Sequence, residues 1–212
     1  STATATSTST ATATPTASPT PDGAPPLPDT SASDLASSIS FLHAGPNPAQ
    51  TGVTPGSIDS ALAALVSGYV YDRDTEAPLD GVLITVLGHP EWGGTLTRAD
   101  GTYDFALNGQ RYATLRYSLD GYVNSQRQIF VPALEYVTAP DVAMVPVDGA
   151  ANVVNLANPG MKVARGSSET DGAGTRRATV LFPEGTTATL QPPVGPPSPL
   201  SSLTLRITEF TV

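Results

Sequence analysis

The chain has 212 residues, a formal net charge of −9, 14% charged residues and no cysteine. With only ten Lys and Arg, scattered along the sequence, it lacks the basic patch that nucleic acid or an anionic membrane surface requires. The missing cysteine excludes disulfide staples and thiol catalysis, and 19 Gly with 21 Pro point to short strands between many turns.

In chain order, the first twenty residues, STATATSTSTATATPTASPT, use four residue types. Ala, Ser, Thr and Pro bury too little apolar surface to offset the entropy of ordering. Residues 1–37 are therefore read as a tail or stalk, continuing through the Pro-rich PTPDGAPPLPDT in stiff extended conformations. Thr and Pro in this composition also mark O-glycosylated stalks, and the glycan candidates are Thr2, Thr4, Thr6, Thr8, Thr10, Thr12, Thr14 and Thr16. An extended strand would put all eight on one face, so the tail could equally serve as a strand waiting for a partner sheet. Because the chain begins at Ser1, it is expected to be a processed or excised product.

Residues 38–65 read as a docked leader segment anchored by Ile39, Phe41, Leu42 and Val53. Within it, 57–65 (SIDSALAAL) is the one plausible helix, capped by Ser57, although its end could already lead into a strand. From Val66 the signal is β. Expected strands are Ser67–Tyr71, Val82–Leu87, Gly94–Arg98, Thr102–Leu107, Tyr112–Ser118, Gln126–Val131 and Asp141–Val147. Seven short strands with a turn signal between each pair predict a β-sandwich over 66–147, able to fold alone. Asn108-Gly109 is the strongest hairpin signal in the chain. Residues 148–212 read as a second, smaller β unit, interrupted by QPPVGPPSPLS at 191–201. Five strands in so short a stretch bury little surface. This unit is expected to be incomplete and to need a neighbouring domain or a strand from another molecule. No apolar run approaches the ~18 residues of a membrane span.

Within 66–147 the order of elements is specific: VSGYVYD at 66–72, APLDGVLITV at 77–86, TLTRADGTYDF at 95–105 and LDGY at 119–122. This order resembles the carboxypeptidase regulatory-like, transthyretin-like β-sandwich. The flanks SFLHAGPNPAQTGV at 40–53, LGHPEWG at 87–93, MKVARGS at 161–167 and RATVLFPEGTTAT at 177–189 are similar to N-terminal modules of large secreted bacterial Rhs/YD-repeat, teneurin-like proteins. The resemblance implies an all-β fold and a non-catalytic role. This sequence contains no YD repeats and no toxin domain, so it is either a fragment or a module used alone.

Candidate chemistry is sparse. His43 and His89 share no metal-ligand spacing, no G-x-S-x-G elbow exists, and both histidines read as structural loop residues. No cofactor is expected. Asp72, Asp74, Glu76 and Asp80 could offer oxygen ligands to Ca²⁺, but the spacing departs from the calcium-loop pattern and the ordinary-turn reading outweighs it. Strand tyrosines read as sandwich core with hydroxyls at the rim. Trp92, in a Gly-flanked loop, is the candidate carbohydrate contact, set against packing over the end of the sandwich. The first functional expectation is a non-enzymatic extracellular β-sandwich subunit of a bacterial surface fibre, self-associating by strand donation. The alternative is an accessory fragment of an Rhs/teneurin-like toxin or adhesion protein beside its neighbouring β domains. A carbohydrate- or calcium-binding module comes third.

Overall fold

The computed structural model describes residues 23, 34–172 and 174–209. The alternating-Thr tail and its glycan candidates lie outside these residues, as do the last three. Among these residues the fold is all-β, as expected, with one short α-helix, α1 (Leu35–Ile39).

Nine strands build the sandwich: β1 (Gln50–Val53), β2 (Ala63–Asp72), β3 (Leu83–Val86), β4 (Trp92–Leu96), β5 (Thr102–Asn108), β6 (Arg111–Ser118), β7 (Ser125–Val131), β8 (Tyr136–Thr138) and β9 (Val142–Met144). One sheet has the order β1-β4-β3-β6-β7; the other has β5-β2-β8, with β9 also beside β2. All seven expected strands are present within a few residues. Two more were not expected, β1 from the leader and the three-residue β8.

Period-2 alternation fixes which side chains face inward. Ala64, Val66 and Val70 of β2 meet Tyr103, Phe105 and Leu107 of β5, and Ala113, Leu115 and Tyr117 of β6, in one buried core. Inside it the hydroxyls of Tyr103 and Tyr117 are 2.7 Å apart, the rings edge to face. Burial, above all, raises both phenol pKa values, so both stay neutral. Tyr103→Phe alone is expected to cost about 1–3 kcal/mol, because it strands the buried Tyr117 hydroxyl. Adding Tyr117→Phe should recover much of that loss. A double-mutant cycle by urea unfolding measures the coupling.

The helix expected at 57–65 does not form. Residues 63–65 open β2, pairing with Asn108, Leu107 and Ala106. Asn108 claims the preceding turn, donating to Ser57 O at 2.9 Å and accepting from Asp59 N at 2.8 Å. Helix forms instead at α1, where Asp34 Oδ1 accepts from Ser37 N at 2.7 Å, a side-chain N-cap. From α1 and the following 3₁₀ turn, Ile39 and Leu42 cover Ala63, Leu65 and Ala106 on the outer face of β2 and β5. The start of β2 is thus buried on both faces.

Asn108-Gly109 is not a hairpin, since β5 and β6 belong to opposite sheets. Its asparagine amide is committed to the 57–59 turn, and Gln110 takes the positive φ of 58°. Gly109 is required for close approach: a Cβ there would lie 2.1 Å from Pro132 O.

Beyond the sandwich come β10 (Ala151–Asn155), β11 (Lys162–Arg165), β12 (Glu169–Asp171), β13 (Gly174–Arg176), β14 (Thr179–Phe182), β15 (Ala188–Leu190), β16 (Ser198–Leu200) and β17 (Ser202–Arg206). They pair two by two, as β10-β17, β11-β14, β12-β13 and β15-β16. Asn152 stitches β10 to β11, its amide bonding Arg165 O at 2.8 Å and Arg165 N at 3.0 Å. Asp148 gathers the root of the unit, accepting from Ser167 N and Ser167 Oγ, both at 2.6 Å. The Ser167 hydroxyl bond is the main cause holding its carboxyl below the usual range.

Candidate functional site

Three groups of residues carry polar chemistry. The first is the β3–β4 end, where the sequence places His89, Glu91 and Trp92. Trp92 is 1% exposed. Its ring stacks on His89 with centroids 4.0 Å apart, and Arg111 lies 5.3 Å from its centroid. His89 Nδ1 donates to Glu91 Oε1 at 2.8 Å, and Arg111 Nη1 donates to His89 Nε2 at 3.5 Å. The His89 bond is the largest cause lowering the Glu91 pKa. His89 stacks on the indole, and Arg111 lies beside both rings within cation–π reach of Trp92. The open ring face that carbohydrate contact would need at Trp92 is absent, because the strand start carries the indole into the core.

The second group is the loop after β2. Asp72 Oδ1 accepts from the backbone N–H of Asp74 and Thr75, each at 2.8 Å, and Oδ2 accepts from Tyr122 Oη at 2.7 Å. Burial alone would raise the Asp72 pKa, but these bonds outweigh it and the net shift is downward. The same bond pushes Tyr122 up to about 12. Asp74 turns away to pair with Arg73 at 2.7 Å, and Glu76 occupies φ of 58°. The four acidic residues named as calcium ligands therefore do not converge. Among the described residues no three His, Asp or Glu side chains are grouped to hold a metal ion.

The Asp72 shift gives a pH prediction. A carboxylate whose folded pKa is depressed stabilises above its unfolded value of about 3.9, and this is lost as pH falls through the folded value. Asp72→Asn keeps an oxygen for the two backbone N–H groups and weakens only the charged bond to Tyr122. We expect it to cost about 1 kcal/mol at pH 7 and progressively less as pH falls through the folded value. Urea unfolding of both proteins over an acid-to-neutral pH series checks this.

The third group surrounds a pocket of about 380 Å³ lined by His43, Val53, Thr54, Pro55 and Ile58 among others. Burial lowers the His43 pKa. His43 is the one titratable residue lining the pocket, and no described hydroxyl is bonded to either histidine.

Sequence reasoning missed the most consequential polar residue, Gln50, which is 1% exposed. Its Nε2 donates to Trp92 O at 2.7 Å and Ala106 O at 2.9 Å, while Oε1 accepts from Ala106 N at 2.7 Å. The amide stands in for a strand rung on the open edge of β5 and ties that edge to β4. No composition or spacing signal marks it, because a glutamine in a Gly/Pro-rich leader reads as surface.

Comparison with known proteins places this geometry. Residues 58–144 match the family described as the teneurin TTR-like domain, so this stretch is similar to that domain. Teneurin-3 of Mus musculus is 31% identical over 104 residues, covering 48% of this chain and 4% of the teneurin. Teneurin-1 of Caenorhabditis elegans is 30% identical over 79 residues, covering 37% of this chain and 3% of that protein. The chain thus spans only a few per cent of the length of these relatives. Among solved structures, the Bacillus anthracis TIE protein matches 70% of this chain and 32% of its own at 13% identity, with a TM-score of 0.35. A type II cohesin–X-dockerin complex from Acetivibrio cellulolyticus matches 41% of this chain and 60% of its own at 18% identity, with a TM-score of 0.34.

Proposed function

We propose that this chain is a non-catalytic accessory module of a much longer extracellular protein of the teneurin-like or Rhs type. The observation that carries this reading is the contrast between its two halves. The sandwich closes around a core, whereas the unit after residue 147 consists of two-stranded pairs, which are marginal on their own. Val153, Met161, Val163, Leu181, Leu190 and Val194 are exposed there, and Val194 is 91% exposed. Its buried apolar side chains, among the described residues, are Val154 and Ala164. Such a surface suits a unit covered by adjoining parts of a longer chain, and the small share of each teneurin that the chain matches supports the same view. No helix among the described residues is long and apolar enough to cross a membrane.

The fibre subunit is the second reading. It draws support from β7, which among the described residues is an edge strand paired with β6 alone and so offers a row of backbone groups to an added strand. One experiment separates the two. Immunoblotting of the native material should reveal a product far larger than 21.7 kDa that forms discrete particles in electron micrographs. A product of 21.7 kDa assembled into filaments would overturn the module reading in favour of the fibre.

A further inference from the structure

The outer face of the β6–β7 ribbon carries an exposed strip that neither the core nor the sites above use. Alternation turns Ala113, Leu115 and Tyr117 inward, so the even-numbered positions of both strands face out. Register pairs them in three rungs: Tyr112 with Phe130, Thr114 with Gln128, and Arg116 with Gln126. Tyr112 is 71% exposed and Phe130 51%, and their rings pack edge to face with centroids 5.3 Å apart. Gln128 Nε2 donates to Thr114 Oγ1 at 3.4 Å. The Arg116 side chain makes no ion pair or hydrogen bond among the described residues.

We propose that this strip binds an acidic oligosaccharide. A sugar ring presents an apolar C–H face to an aromatic ring and hydroxyls at its edge. The Tyr112–Phe130 rung supplies the ring, the amide–hydroxyl rung supplies donors and acceptors, and Arg116 supplies a planar donor fork for a carboxylate. From the first rung to the third is four residues, about 13 Å at strand rise, the reach of two or three sugar units. Charge selects an acidic ligand. The strip's one charged side chain is Arg116; Arg111 and Arg127 stand at odd-numbered positions turned to the other face, and neither strand holds Asp or Glu. Asp120 is confined to the turn between them.

The test is native affinity electrophoresis of the full chain in gels holding polygalacturonate, alginate or hyaluronan, with hydroxyethylcellulose as the neutral control. At least one acidic polymer should retard the chain and the neutral one should not. Phe130→Ala and Tyr112→Ala should each weaken retardation by roughly tenfold or more, and Arg116→Gln should do the same, with melting curves unchanged. If Phe130→Ala does not fold, Gln128→Ala on the same strip carries the test. Lack of retardation by all three acidic polymers would overturn the proposal, as would retardation unaffected by these substitutions or equal in the neutral gel. Sedimentation showing a dimer that Tyr112→Ala dissociates would also overturn it, giving the face to a second copy.

Discussion

Replacing Gln50 with leucine is expected to destabilise the sandwich by about 3–5 kcal/mol, although leucine nearly preserves the volume and adds apolar surface. Three backbone groups would lose their partner: Ala106 N–H, Ala106 C=O and Trp92 C=O. Each buried orphan costs about 1–3 kcal/mol, and Gln50 is enclosed too tightly for water to replace it. For a domain of this size the melting temperature should fall by at least about 12 °C. Gln50→Glu separates the causes. It retains an acceptor for Ala106 N but places a carboxylate against two carbonyl oxygens, so it should be at least as damaging near neutral pH and partly rescued in acid, when protonation restores a donor. Thermal and urea unfolding of the three proteins decides the matter. A change below about 1 kcal/mol in Gln50→Leu would mean that the amide is not the tie between the sheets.

Truncation is expected to have the other large effect. Residues 66–147 should not fold cooperatively, whereas 34–147 should. The shorter segment lacks β1, which pairs Gln50, Thr51 and Val53 with Thr95, Gly94 and Trp92. It lacks the first three residues of β2 and the Ile39–Leu42 cover over Ala106. It also loses Gln50 itself. The bare β4 edge and the uncovered β5 face would together expose backbone groups and apolar surface that the remaining core cannot offset. Circular dichroism melts of both segments test this. A sharp transition in 66–147 within a few degrees of 34–147 would show that the leader is dispensable.

The sandwich strands were legible because burial there follows strict alternation: Tyr103, Phe105 and Leu107 inward, Thr102 and Asp104 outward. The leader was not legible, for a reason that recurs. Gln50, Asn108 and Asn152 each bind a side-chain amide to backbone some distance away, and an amide's partner leaves no local trace in the sequence. Asn108-Gly109 shows the cost of reading locally. Its hairpin chemistry is sound, but the strands it joins diverge into two sheets, a tertiary outcome that overrides turn preference. The same holds at 63–65, where Ala-Ala-Leu falls in the helical spacing of Ile58, Leu62 and Leu65 yet pairs with β5. Trp92 reads from the sequence as a carbohydrate contact or as packing over the end of the sandwich, and the structure buries it. That His89 and Arg111 provide the cover depends on β6 meeting the β3–β4 loop, which no short stretch of sequence encodes.

Hydrogen exchange read by mass spectrometry on the full chain tests the central claim most directly: residues 34–147 form one cooperative sandwich, and the unit after it is not self-sufficient. Peptides from 35–53, 63–72 and 111–131 should become labelled together, at the rate of global unfolding, while peptides from 151–206 exchange markedly faster through local opening. Early labelling of 35–53, or protection of 151–206 equal to that of the sandwich, would contradict it.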